Sequence, residues 1–384
     1  MRALAGRLAW LALLVWLAAC DARNLGAPEV VADGVRLYHL TDVSLVDGPG
    51  PIAIDLLRLD PARVGLTSAL ALDEVMGRET VLEMSARHGA VAAVNAGFFL
   101  PNGDPAGLLK VGGNLVSETS RARGAVGILA ARGAGRLDLV FDRVTVDVAL
   151  HFPTDDGAAA VAIAGVDTTR RRGELMLFTP RYHAHTDTAG NGTEWVLRGS
   201  PLRVVERRHG DGSASIPRDG IVLSFGGMTP PGPLDALEVG REASLKWRYR
   251  ASLGTPVDTW HQARDIIGGA GLLVSRGRPV DAWEEEQLRE GFTTERHPRT
   301  IIGVDESGEI WLATIDGRQP GHSVGMTFTE LQRLARRLRL REALNLDGGG
   351  STTMVVRGRV VNRPSDQDGP RPVSDALLVL ARAP

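Results

Sequence analysis

Ala343-Leu344-Asn345-Leu346-Asp347-Gly348-Gly349-Gly350-Ser351-Thr352-Thr353-Met354 is the stretch around which the chain is organised. Ala343 to Leu346 reads as a short buried strand ending on an acid and three consecutive glycines; Ser351 to Val356 reads as the next strand. Glycine costs about 0.5–1 kcal/mol relative to alanine in a regular element, so the run implies a backbone with φ > 0 or a close approach. A bend of successive N–H groups makes a concave anion site. Asn345 and Asp347, two apart on a strand, are expected on one face. The segment would then offer a carboxylate, an amide, the Ser351 hydroxyl and the amides of Gly348, Gly349 and Gly350. The plain alternative is a hairpin bend with Asp347 as turn former.

The flanking sequence delivers the chain to this bend. Thr327-Phe328-Thr329-Glu330 reads as a capping box, and Leu331, Leu334 and Leu338 share one helix face behind it. Before it, Ile301–Val304 and Ile310–Ile315 read as a hairpin that ends at Asp316-Gly317-Arg318. After it, Arg357-Gly358-Arg359 turns a last hairpin, and Ala376–Leu380 is a final apolar strand. Further upstream, Ala90–Val94 is an apolar strand running into Asn95-Ala96-Gly97-Phe98-Phe99. A buried Asn95 must find partners or cost about 1–3 kcal/mol. It either caps a turn or faces the same cleft as Asp347. Val111-Gly112-Gly113-Asn114 is a hairpin turn, and Ile266-Ile267-Gly268-Gly269-Ala270-Gly271 is a strand with a glycine bend that lacks dinucleotide-binding spacing. A helix is expected from Asp73, as N-cap, to Gly89, and a short polar helix from Asp281 to Glu290. Residues 34–70 and the middle, about 125–255, are rich in short apolar runs broken by turn residues. His183, His185 and Asp187 fit a solvated hairpin face better than a metal site. The fold class is therefore α+β, with β-rich mixed sheets and a few helices. The length left after the first nineteen residues is ample for a large core, in one extended domain or two.

The first nineteen residues are set apart as a signal peptide. Arg2 and Arg7 make a positive start, and Leu8–Leu17 is an apolar run too short to span a bilayer comfortably. Leu17-Ala18-Ala19-Cys20 resembles the lipobox of bacterial lipoproteins, and Cys20 is the only cysteine in the chain. Lipidation at Cys20, a tether over residues 20–33 and an extracytoplasmic, membrane-anchored protein of the cell envelope or periplasm are the expectations. An ordinary cleaved signal or an uncleaved anchor would also place the protein outside the cytoplasm. A formal charge of −2 without a basic block leaves no footprint for nucleic acid. No cofactor, metal site or protein partner is expected from the motifs.

His297-Pro298-Arg299-Thr300, Asp316-Gly317-Arg318, the helix and Asn345-Leu346-Asp347-Gly348-Gly349-Gly350-Ser351, in that order, resemble the phosphodiester glycosidase family. Asn95-Ala96-Gly97-Phe98-Phe99 and Gly268-Gly269-Ala270-Gly271 resemble two earlier segments of it, with Ala270-Gly271 where a Gly-Pro pair is usual. The resemblance is best over residues 90–383 and implies a single domain over residues 34–384, with N-terminal strands and an insertion. It implies a carbohydrate-phosphate substrate and cleavage of a sugar-1-phosphodiester at C1, in an envelope or exopolysaccharide glycan. Asp347 and Asp316 are then the candidates to face C1 as nucleophile, base or stabiliser. Arg299 and Arg318 are candidates to clamp phosphate, since guanidinium forks match its oxygens. The amides of Gly348–Ser351 would add donors. Asn95, with Gly97, Thr300 and Asn345, would complete substrate binding, and His297 is either a proton shuttle or structural. Asp316 and Arg318 also read simply as turn residues.

Two rival functions remain at this level. One is a non-catalytic glycan- or polyanion-binding lipoprotein using the same bend and arginines. The other is a metal-dependent phosphodiesterase, for which no ligand spacing stands out. For the anchor, Cys20→Ser is expected to move the protein from the membrane to the soluble fraction on cell fractionation; unchanged membrane retention would refute lipidation at Cys20.

Overall fold

The computed structural model describes residues 24–132 and 135–382. Cys20 and the signal segment lie outside the described residues. Among the described residues the chain forms three sheets and four α-helices. The expected β-rich α+β architecture is the observed one.

An eight-stranded antiparallel sheet carries the central strand. Its order is Glu29–Ala32, Val35–Leu40, Ile54–Leu59, Ile310–Ile315, Arg299–Asp305, Leu340–Asn345, Leu272–Ser275 and Arg278–Pro279. The inner strands Arg299–Asp305 and Ile310–Ile315 are buried at every residue. That is why they read as unbroken apolar runs rather than as alternation. A five-stranded antiparallel sheet runs Arg359–Val360, Met354–Val356, Ala92–Asn95, Asp375–Ala381 and Val64–Leu70. The middle of the chain builds a twelve-stranded sheet, whose core includes Trp195, Leu223, Tyr249 and Trp260.

Register brings the motifs to one end. Arg299 pairs with Ile315, and Ile301 pairs with Asn345. The start of Arg299–Asp305 therefore lies beside the ends of the two strands that lead to Asp316 and Asp347. In the five-stranded sheet Asn95 pairs with Ala376, and Met354 with Val94. The ends of both sheets thus meet at the glycine bend.

The helix Phe328–Arg337 has both halves of its capping box, Thr327 and Glu330. It buries Phe328, Leu331, Leu334 and Ala335 against Leu273, Ala343 and Ile301 of the eight-stranded sheet. Phe328 fixes a further feature. At Gly271, with φ +95°, an added Cβ would fall 2.0 Å from the Phe328 ring.

Four expectations are corrected. The first helix spans Val81–Arg87 and starts from a Thr80/Glu83 capping box rather than from Asp73. Leu72 and Asp73 take left-handed conformations that cannot begin a helix. The expected helix over 281–290 is a 3₁₀ turn, Trp283–Glu286, followed by a helix at Glu290–Thr294. The cause is Glu286, whose buried carboxylate accepts the amides of Gly124, Gly271 and Leu272, each at 2.9 Å. The glycine bend closes in a 3₁₀ turn over Gly349–Ser351, and the next strand begins only at Met354. Finally, the segment expected as a tether contains the edge strand Glu29–Ala32.

Gly271→Ala is expected to destabilise the fold by roughly 2–4 kcal/mol, overpacking and positive-φ strain together. Gly277→Ala, at φ +76° with open space around it, should cost only about 1 kcal/mol. Urea denaturation of the two variants checks the contrast.

Candidate functional site

The site is built on a buried amide. Asn95 ends its strand with its side chain fully enclosed. Its Oδ1 accepts from Thr300 Oγ1 at 2.7 Å and from the Thr353 amide at 3.1 Å. Its Nδ2 donates to the backbone oxygen of Asp347 at 2.7 Å. The Asp347 amide donates in turn to Ala96 O at 2.9 Å. Asn95 and Thr300 therefore hold the bend in place, and all three of their polar side-chain contacts face protein. Asn345 is also buried, and its Nδ2 donates to Ala270 O and Leu346 O. It ties the bend to the Gly268–Gly271 segment instead of facing a cleft beside Asp347.

Three of the four amides expected to form a free nest are engaged within the protein. Gly348 N donates to Asp347 Oδ1 at 2.9 Å, Gly349 N to Pro298 O at 2.9 Å, and Ser351 N to Gly348 O at 3.2 Å. These amides serve the bend itself and one carboxylate. The glycines are required because neighbours press on them. A Cβ at Gly348 would lie 2.6 Å from Pro298 O, and one at Gly350 would lie 2.1 Å from a terminal nitrogen of Arg371. Gly349 has φ +61°, with the Arg318 guanidinium 3.1 Å from its would-be Cβ.

Asp347 lies partly open to solvent, with protein around the rest of it. Burial pushes its carboxyl up to about 6; Ser351 and the Gly348 amide oppose the shift, and the charges of Asp375 and Arg371 act in opposite directions. Asp375 is the residue that sequence reasoning missed. It is fully buried, its carboxyl is raised by desolvation, and it accepts from Ser374 Oγ at 2.7 Å and from Gly97 N at 3.1 Å. Gly97 is thereby explained: its would-be Cβ would sit 3.2 Å from that carboxylate. Arg371 was also missed. It pairs with Asp366 at 2.8 Å while its guanidinium lies over Gly350. Proximity to Asp347 comes from the Asp375–Ala381 strand lying beside Ala92–Asn95, and the only linear signal was an Arg and an Asp just before the last apolar run.

The two arginines chosen from the sequence have different surroundings. Arg299 is 1% exposed. Its Nε donates to Met326 O and its Nη2 to Phe292 O and Glu295 O. The Phe292 and Phe328 rings lie 5.1 and 4.9 Å from its guanidinium carbon. These contacts make it a strut that joins three segments behind the bend. Arg318 is exposed, has φ +59°, and reaches His297 Nδ1 at 3.1 Å as well as Gly349. Desolvation and the charges of Arg299 and Arg318 lower the His297 pKa, which favours a neutral ring.

Asp316 belongs to a second cluster. It accepts from His322 at 2.8 Å, from Asn362 Nδ2 at 3.0 Å and from the Arg363 amide at 2.9 Å. His39 and Asp55, 2.5 Å apart, face the same 250 Å³ cavity. Asn362 Nδ2 also donates to Thr352 O at 3.1 Å, which couples this cluster to the bend. Burial pushes Asp55 up to about 6. Among the described residues no group of three His, Cys, Asp or Glu is placed to hold a metal ion.

Comparison with known proteins places this geometry. Residues 191–380 match the phosphodiester glycosidase family model. N-acetylglucosamine-1-phosphodiester α-N-acetylglucosaminidase of Mus musculus is 35% identical over 122 residues, which is 30% of this chain and 23% of that protein. The match thus spans about a quarter of the curated relative's length. A solved structure from Synechocystis, described as a hypothetical protein, shares the fold with TM-score 0.75 at 22% identity, over 91% of this chain and 63% of that one. One from Burkholderia pseudomallei K96243 superposes with TM-score 0.71 at 25% identity, over 87% and 75% of the two chains. Asp316, Arg318, the glycine bend, Arg371 and Asp375 all fall inside the matched stretch, and Asn95 and Gly97 lie before it. The stretch 191–380, which matches the phosphodiester glycosidase family model, contains both carboxylates and both exposed-side guanidinium groups of the bend.

Proposed function

We propose that this protein hydrolyses a sugar-1-phosphodiester by breaking the C1–O bond, in an envelope or exopolysaccharide glycan reached from a membrane-anchored, extracytoplasmic position. The observation that carries the reading is the Asp347 carboxyl, raised to about 6 and set under a bend over which the Arg318 and Arg371 guanidinium groups lie. A phosphate leaving group departs as an anion, so it needs cations more than it needs a strong acid. Arg318 and Arg371 supply them, and a guanidinium fork matches two phosphate oxygens at once. Arg299 acts from behind by holding Met326, Phe292 and Glu295 in place.

Asp347 works in its ionised form. It either takes a proton from the attacking water or bonds C1 itself before water displaces it. In both routes the water oxygen ends on the sugar C1. The bridging oxygen leaves with phosphorus as a phosphomonoester. A carboxyl titrating near 6 is a better proton acceptor than an ordinary aspartate and is still mostly ionised at pH 7. Burial sets most of that value; the Asp375 charge adds to it from behind, which makes Asp375 a positioning residue.

Turnover of an α-N-acetylglucosamine-1-phosphodiester in ¹⁸O water tests the reaction. Label in the sugar hemiacetal is expected, with activity reduced at least about a hundredfold in Asp347→Asn. Label in the phosphate would make the protein a phosphodiesterase, and chelator sensitivity would point the same way. Binding of the glycan without turnover would make it a binding protein. Asp347→Asn should be no less stable than the parent at pH 7. A buried carboxyl with a raised pKa withdraws stability as pH rises through that pKa, and the amide removes that loss.

The pH profile gives a separate test. With Asp347 needed as carboxylate, kcat/KM is expected to rise through about pH 6 and level above it. Asp375→Asn removes a like charge and should move that limb to lower pH while retaining turnover.

A further inference from the structure

The inserted twelve-stranded sheet holds a groove that shares no residue with the glycine bend. It is a cavity of about 420 Å³ at the open edge of the second core. Leu245, Trp247 and Tyr249 lie on one face of the strand Glu242–Ala251, by its alternation. Tyr249 is buried in the core, Leu245 is half-buried, and Trp247 emerges with 37% of its surface exposed. The groove floor is apolar, with Leu115 and Ile221 opposite. Two arginines stand at its mouth: Arg181, after the Thr179-Pro180 turn, and Arg218, in the turn before the strand Gly220–Phe225.

The charges in this groove are unbalanced. No Asp or Glu lines it. Arg181 and Arg218 have no side-chain hydrogen bond or ion pair among the described residues, and the Trp247 ring stacks on no other ring or guanidinium there. Elsewhere in the same sheet Arg198, Arg203 and Arg241 each pair with a carboxylate. A small cavity with an apolar floor and a few convergent polar groups is the usual form of a small-ligand site. Here an aromatic face suits the C–H face of a pyranose ring, and unpaired guanidinium groups suit carboxylate or phosphate oxygens.

We infer that this groove binds an anionic oligosaccharide, with a sugar ring stacked on Trp247 and its acidic substituent held by Arg181 and Arg218. Nucleic acid fits less well, because two arginines do not make the extended basic stripe that a phosphate backbone requires. The inference does not depend on the hydrolase reading. If both hold, the groove would retain an acidic glycan on the enzyme between cleavage events.

Intrinsic fluorescence and calorimetric titration of the folded chain with three probes test it: hexaglucuronic acid, a phosphorylated dextran oligosaccharide, and neutral cellohexaose. Saturable binding of at least one acidic probe is expected, about tenfold or more tighter than the neutral one and weakened by salt. The acidic probe that binds tells carboxylate from phosphate recognition. Arg181→Gln/Arg218→Gln and, separately, Trp247→Ala should each weaken that binding about tenfold or more. The arginine pair is at the surface, so that variant still decides the matter if Trp247→Ala misfolds. No saturable binding of either acidic probe, equal binding of cellohexaose, or unchanged affinity in the arginine variant would overturn the inference.

Discussion

One side-chain amide holds the two principal sheets in register. Asn95 accepts from Thr300 in one sheet and from Thr353 beside the other, and donates to the carbonyl of the proposed catalytic Asp347. Each contact is local, yet together they set where the glycine bend begins. A carboxylate chemistry that depends on a position held to a fraction of an ångström needs support of this kind. Asn95 is suited to it because an amide is both donor and acceptor without carrying charge into a fully buried place. An aspartate would lack the donor, and would add a third acid beside half-buried Asp347 and buried Asp375.

Electrostatics then divides the polar residues by depth. Half-buried Asp347 and fully buried Asp375 are both pushed upward by desolvation. Arg299, as deep as Asp375, has three carbonyl oxygens and two aromatic faces as its environment. Its charge is spent on structure. Arg318 reaches the surface with a single histidine contact, and so keeps donors for a ligand. Two arginines in neighbouring motifs thus have separate jobs, and the difference lies in what surrounds each.

Much of the fold was legible because its signals are local. The Thr327/Glu330 capping box, the turn at Arg357-Gly358 and the hairpin of Ile301–Val304 with Ile310–Ile315 all depend on residues a few positions apart, and each stands where the sequence put it. The glycine bend was legible as a constraint but not as a surface, since its amides turned inward to Pro298 and Asp347. Glu286 and Asp375 were not legible. Glu286 lay unmarked within an expected polar helix, and the backbone amides that draw it inward come from Gly124, Gly271 and Leu272. Asp375 acquires meaning only because its strand lies beside Ala92–Asn95. A long-range neighbour of this kind leaves no pattern in a single sequence.

The eight-stranded sheet also has a history in time. Ile54–Leu59, near the start of the chain, has Ile310–Ile315 as its inner partner, and Ile54 pairs with Ile315. During synthesis the first three strands can form only an edge ribbon with one apolar face uncovered, while the entire twelve-stranded sheet is made between them and their partner. The sheet carrying the bend cannot close until nearly all of the chain exists. Such non-local closure is slow, because loop entropy is lost before the contacts that reward it are made. The nascent protein therefore passes through a stage in which its inserted sheet is complete and its proposed catalytic end is not yet assembled.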